Sequence, residues 1–221
     1  DPWSSRVTLE AIIDIMAILS RADLKKEIIK ELERHAATLQ GLSRNPNVDP
    51  NRLKDILDVV KTQLASLRSD ENSWGQELRD DELISNVRQR SSITAGTCNF
   101  DLPVLHYWLQ TSADHRVNDL RRWLRSFDLL SSSVTLCLRL VRESAIATHE
   151  LAHSGFFQRT LETSTPCQMI RVCLDDDVRC FPEISAGKHR FTVRFMSPTT
   201  THDRPAQTDG DVEFDLHCCV I

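Results

Sequence analysis

Glycine, aromatic residues and surplus positive charge are all scarce in this chain, and each shortage closes a class of function. Six glycines among 221 residues leave little material for a glycine-rich phosphate loop, and none can be traced. No Gly-x-Ser-x-Gly elbow occurs, so the nucleophile turn of an α/β hydrolase is missing. Aromatics amount to 6%, with a single tyrosine, which makes the expected core aliphatic. No run of about 18 apolar residues is present, so no membrane span is expected. The first residues lack a basic stretch followed by an apolar one, so no signal peptide is expected. They also begin Asp1-Pro2-Trp3, without methionine, which reads as part of a longer gene product. The net charge of −5 gives no global attraction to nucleic acid or an anionic membrane. A local basic patch is therefore the level at which to look for a partner site.

Cysteine is present without a pattern. Positions 98, 137, 167, 173, 180, 218 and 219 form an odd, irregular set with no Cys-x-x-Cys pair. The adjacent Cys218 and Cys219 would need a strained ring to bridge. Free thiols, buried as small hydrophobes in a reducing cytoplasm, are the expectation.

The rest is ordinary for a soluble globular protein, with 40% hydrophobic and 27% charged residues. Leu9, Ile12, Ile13, Met16 and Leu19 recur at helical spacing, as do Leu24, Ile28, Leu32, Ala36 and Leu39. Asp49-Pro50 is a helix start, with a side-chain acceptor at the cap and a proline whose missing N–H costs nothing there. Leu53, Ile56, Leu57, Val60, Leu64 and Leu67 continue behind it. Joined by short breaks, these three segments predict an antiparallel bundle. Shorter helices are expected over 80–90, after Pro103 and from Ser112, and a longer one over 129–148 with Leu130, Val134, Leu138, Val141 and Ala145 buried. After Gly155 the period falls to two, with strands over 156–161, 169–174, 191–196 and 212–220. Short connections without helices between them predict an antiparallel sheet. The fold class is α+β: an N-terminal all-helical bundle domain, 1–154, followed by a C-terminal antiparallel β-sheet domain, 155–221.

Two local patterns carry chemistry. His149-Glu150-Leu151-Ala152-His153 matches the zinc-protease pattern, which on a helix puts both imidazoles on one face with the glutamate as base. About one or two chains in a hundred of this composition would match by chance. Against it, Gly155 follows at once, placing His153 at a helix end. No downstream motif supplies a third ligand, and Glu162 and Glu183 are ordinary acidic residues near strands. The expected reading is a solvated helix end, with no metal and no cofactor. The other pattern is Lys188-His189-Arg190-Phe191-Thr192-Val193-Arg194-Phe195. Alternation sends Phe191, Val193 and Phe195 inward and Arg190, Thr192 and Arg194 outward, with Lys188 extending the row. Guanidinium forks suit carboxylates. A plainer account is that Glu213 and Asp215 pair with these arginines across strands on a solvated face.

The run Leu83-Ile84-Ser85-Asn86-Val87-Arg88-Gln89-Arg90, then Gly96-Thr97-Cys98-Asn99-Phe100-Asp101-Leu102-Pro103-Val104-Leu105-His106-Tyr107-Trp108-Leu109, resembles the ZapD family. So do Pro182-x-Ile184-Ser185 with Lys188-x-Arg190-Phe191-x-x-Arg194-Phe195-Met196, and Leu24 to Leu32 in the second helix. The resemblance implies a non-enzymatic cytoplasmic protein of the bacterial division site at midcell, active as a homodimer. It implies that a basic pocket takes the C-terminal tail of FtsZ, the tubulin-like division GTPase. A dimer would then cross-link and bundle filaments and promote Z-ring assembly, with no role for nucleic acid, membrane or small-molecule substrate. By the same resemblance Arg190 and Arg194 match the family's basic strand, and Arg21 stands where the family places a basic residue for that pocket. His106 matches the histidine of the Leu-His-x-Trp signature, as a ligand group or as a structural histidine. Asp101 and Pro103 shape the turn before it. Glu82 replaces an arginine of the relatives, weakening the field, and a further N-terminal helical stretch of the family is absent. A zinc-dependent hydrolase built on His149, Glu150 and His153 is the alternative.

Overall fold

A computed structural model describes residues 1–20, 23–70, 74–162, 167–198 and 204–220. Helices fill the N-terminal part and antiparallel strands the C-terminal part, an α+β chain. It divides into two compact units, Asp1–Cys137 and Leu138–Ile221.

The helical unit begins with α1 (Pro2–Leu19), α2 (Leu24–Gly41) and α3 (Pro50–Ser69). Each starts on an aspartate. Asp1 accepts from Ser4 N–H, Asp23 from Lys26 N–H, and Asp49 from the N–H groups of Asn51 and Arg52, satisfying donors the helix cannot. The three do not form one bundle. α2 packs on α3, whereas α1 packs on α5 (Glu82–Ser91), α6 (Pro103–Gln110) and α7 (Ala113–Arg125). With the short α4 (Gln76–Asp80), α1 and these helices enclose a core of Leu9, Ile12, Ile13, Met16, Leu78, Ile84, Leu105, Trp108, Trp123 and Phe127. Period alone identified the buried stripe of α1 but not its partner.

Two indoles fix this core's polar edges. Trp108 donates to Asp119 and Trp123 to Asp81, each at 2.9 Å, and the two rings lie 5.5 Å apart. Asp81 also caps α5 through Ile84 N–H. Glu82 sits in that helix's first turn, where a carboxylate suits the positive end of the helix dipole. Arg116, 5% exposed, donates to Ser5 Oγ and to the carbonyls of Leu109 and Thr111, tying α7 to α1 and to the C-terminal end of α6.

α8 (Asp128–Glu143) is shorter than the period suggested, ending before 148. Its buried positions are Ser133, Leu136, Leu140 and Val141, while Val134 is exposed, so the stripe is rotated from the expected one. The β unit holds β1 (Thr148–Ala152), β2 (Phe156–Thr160), β3 (Met169–Cys173), β4 (Phe181–Ala186), β5 (Arg190–Ser197), β6 (Ala206–Gln207) and β7 (Val212–Cys219). One sheet runs β1-β7-β3; the other runs β2-β5-β4, with β6 also on β5. All pairings are antiparallel. The sheet thus begins at Thr148, ahead of the boundary at 154 suggested by the change of period. Both sheets share a core of Ala152, Phe191, Val193, Phe195, Val212, Phe214 and Leu216. Phe214 ties them together, with its ring 5.0 Å from Phe195 and 5.2 Å from Phe157.

Candidate functional site

β5 is central in its sheet, and its two faces differ completely. Phe191, Val193 and Phe195 are fully buried, while Arg190 and Arg194 are exposed. The inward set is what an aliphatic-aromatic core demands, and alternation then leaves Arg190, Thr192 and Arg194 outward. Four residues of extended chain separate the guanidinium-bearing positions by about 13 Å.

Register supplies their neighbours. On the β2 side, Phe156 lies opposite Arg194, Gln158 opposite Thr192 and Thr160 opposite Arg190. On the β4 side, Glu183 faces Arg194 and Ser185 faces Thr192, with Phe181 opposite Met196 at the far end. Directly opposed residues share a face. The outer surface of this sheet therefore grades from an apolar end of Phe156, Phe181 and Met196 to a polar, basic end at Arg190. Phe156 and Phe181 are 39% and 38% exposed, open enough for an apolar partner group to sit beside Arg194. Lys188 is exposed in the turn joining β4 to β5, where Gly187 N–H donates to Arg190 O at 2.9 Å.

The plainer account of this row does not hold. Glu213 and Asp215 are on β7, in the other sheet, and both are engaged with His149: Asp215 Oδ1 lies 3.1 Å from Nδ1 and Glu213 Oε2 lies 3.8 Å from Nε2. Among the described residues, the other ion pairs of the β unit are His153 with Asp211 and Arg159 with Glu150. Among the described residues, neither Arg190 nor Arg194 takes part in an ion pair, so both keep their donors for solvent or a partner.

The other expected site residues fall elsewhere. His106 is half-buried on α6 in the helical unit. Arg21 lies outside the described residues. The structure brings Lys188, Arg190 and Arg194 together along one stretch of chain. Glu183 is the neighbour sequence reasoning missed in this setting, because its place beside Arg194 depends on a pairing that only β4 reveals.

The zinc motif is not assembled. His149 to Ala152 are strand, not helix. Alternation therefore turns Glu150 to the face opposite His149, and residues 149 and 153 stand about 13 Å apart along the chain, beyond any shared metal. Each group has its own partner. Asp215 leads in raising the His149 pKa above its ordinary value, and Asp211, held low chiefly by Ser154 N–H, carries His153. Glu150 receives Arg159. Among the described residues no group of three or more His, Cys, Asp or Glu side chains is placed to hold a metal. All seven cysteines are free thiols.

A helical unit followed by paired antiparallel sheets, one with an open basic outer face, defines an α+β protein whose exposed chemistry is suited to docking. A family model described as ZapD, cell division protein, matches residues 1–194. The cell division protein ZapD of Chromobacterium violaceum is 37% identical over 218 residues, 99% of this chain and 86% of the relative. That of Methylococcus capsulatus is 35% identical over 219 residues, with 99% and 86% covered. That of Coxiella burnetii is 31% identical over 221 residues, with 100% and 86% covered. The chain belongs to the ZapD family of cell division proteins, which is not an enzyme family. Among the described residues no helix is long and apolar enough to cross a membrane.

Proposed function

We propose that this protein is a non-catalytic division adaptor that binds the C-terminal tail of FtsZ on the basic outer face of β5. As a homodimer it carries two such sites and cross-links neighbouring filaments at midcell, on the cytoplasmic side. The observation carrying this reading is that Arg190 and Arg194, exposed on one face, are engaged by no carboxylate of the described chain. An acidic peptide would meet two forks at a fixed spacing, with Phe156 and Phe181 at the Arg194 end. Membership of a cell-division family points the same way. By the family resemblance Arg21 and His106 are further candidates for tail binding, and Lys188 adds charge at the rim of the basic face.

The test is co-sedimentation with assembled FtsZ, comparing full-length FtsZ with FtsZ lacking its tail. Pelleting is expected with the first and not the second, and is expected to be unaffected by chelator. Arg190→Glu and Arg194→Glu each remove one attraction and add one repulsion, so each is expected to weaken tail binding by about 1–3 kcal/mol with the fold intact by circular dichroism. Wild-type affinity in both variants sinks the assignment of this face.

A further inference from the structure

We propose that Glu183 is a resident competitor for Arg194 and thereby sets the affinity of the basic face. This inference rests on the reading of that face as the tail-binding surface and adds a residue to it. Gly187 N–H donates to Arg190 O, which makes that pair a hydrogen-bonded one. Such pairs recur every two residues, so Glu183 and Arg194, two pairs further along, are also hydrogen-bonded partners with Cα atoms about 5.5 Å apart. The opposite side of β5 agrees: Phe195 N–H reaches Gly155 O and Leu161 N–H reaches His189 O, so residues 191, 193 and 195 turn toward β2 while 190, 192, 194 and 196 turn toward β4.

Glu183 is also the one carboxylate among the paired residues on that outer face; its companions are Phe156, Gln158, Thr160, Phe181, Ser185, Arg190, Thr192, Arg194, Met196 and Gln207. It is exposed and forms no ion pair among the described residues, although a rotamer change on either side would close one with Arg194. Arg194 thus exchanges between an open state and one closed on Glu183. An incoming carboxylate must displace the resident one and also feels its charge. Arg190, with Thr160 opposite on β2, has no such competitor. The two arginines are therefore unequal, with Arg190 free and Arg194 gated.

The probe is a fluorescent synthetic peptide of the FtsZ C-terminal tail, titrated with the full chain at low salt. Glu183→Gln keeps shape and hydrogen bonding while removing the charge, and exposed pairs of this kind are weak, so binding should tighten by about two- to fivefold. The gain should shrink as salt rises. In an Arg194→Gln background most of the gain should vanish, and in Arg190→Gln it should persist. Unchanged or weaker binding by Glu183→Gln, with Arg194→Glu still disruptive, overturns the competitor and leaves the face as the site. A gain that survives Arg194→Gln also overturns it. If Arg190→Glu, Arg194→Glu and Glu183→Gln all bind as wild type, the face itself is not the site and both readings fall.

Discussion

His35 is fully buried on α2, and neither of its ring nitrogens has a hydrogen-bond partner. Nε2 stands 3.3 Å from Glu31 Oε1 without a hydrogen bond between them, and the carboxylate is already committed to Arg34 at 2.6 Å. Burial pushes the imidazole below its ordinary value, against a smaller opposing pull from Glu31. The same environment pushes the Cys137 thiol up to about 11, so it is inert as a nucleophile. Below about pH 6.5 the unfolded chain takes up a proton on His35 that the folded chain resists. The unfolded state then binds more protons, and stability falls as pH drops. His35→Leu removes both orphaned atoms at similar volume. It should raise stability by about 1 kcal/mol at pH 7 and flatten the loss between pH 7 and pH 5. Urea melts at the two pH values check this; a less stable variant with unchanged pH dependence refutes it.

At the scale of elements, the hairpin joining β1 to β2 carries a tight backbone constraint. Ser154 and Gly155 form its two-residue loop at φ 48° and 68°, and Phe156 N–H closes it on His153 O at 3.0 Å. Two left-handed residues in sequence are the tight turn that matches strand twist. Asp211 Oδ1 accepts Ser154 N–H, and Gln207 donates to Ser154 O. A Cβ on Gly155 would lie 2.6 Å from Thr208 Cγ2 and 2.7 Å from Thr208 O. Gly155→Ala should therefore destabilise the β unit by on the order of 2 kcal/mol or more, from strain and the clash with backbone. Thermal melting detects this, and a melting temperature within a degree of wild type contradicts it. The Ser-Gly pair is legible as a turn signal, but the sequence also suits a helix end there, because Thr148 to Ala152 contains one β-branched residue and a histidine-glutamate spacing that fits a helix. β4 was hidden for a related reason: Pro182, Ser185 and Ala186 are poor strand formers, tolerated because β4 is an edge. The helix caps and the two faces of β5 were readable because they depend on near neighbours in sequence. The pairing of α1 with α7, and of Glu183 with Arg194, depends on contacts between distant segments, which period cannot encode.

At the scale of the whole molecule, the adaptor reading makes a quantitative demand on salt. The chain carries a net charge of −5, so its attraction to an acidic tail must come from a local face while the remainder opposes it. Exposed charges lose their reach as the Debye length shrinks from about 10 Å at 0.1 M to smaller values. Binding of one tail peptide should therefore weaken with salt, with a slope that Arg194→Gln reduces. A cross-link needs two tails held at once, so its stability follows the product of two such affinities and an effective concentration set by geometry. Plotted logarithmically against salt, loss of FtsZ bundles should be about twice as steep as loss of single-peptide binding. Fluorescence anisotropy gives the single-site slope and low-speed sedimentation of FtsZ gives the bundling slope. Equal slopes would mean that one tail suffices for bundling, as when the protein coats a filament and neutralises it, and the two-site adaptor would be abandoned. A doubled slope, together with loss of bundling when wild type is mixed with excess Arg194→Glu protein to give dimers with one working site, would tie the bundling to bivalency.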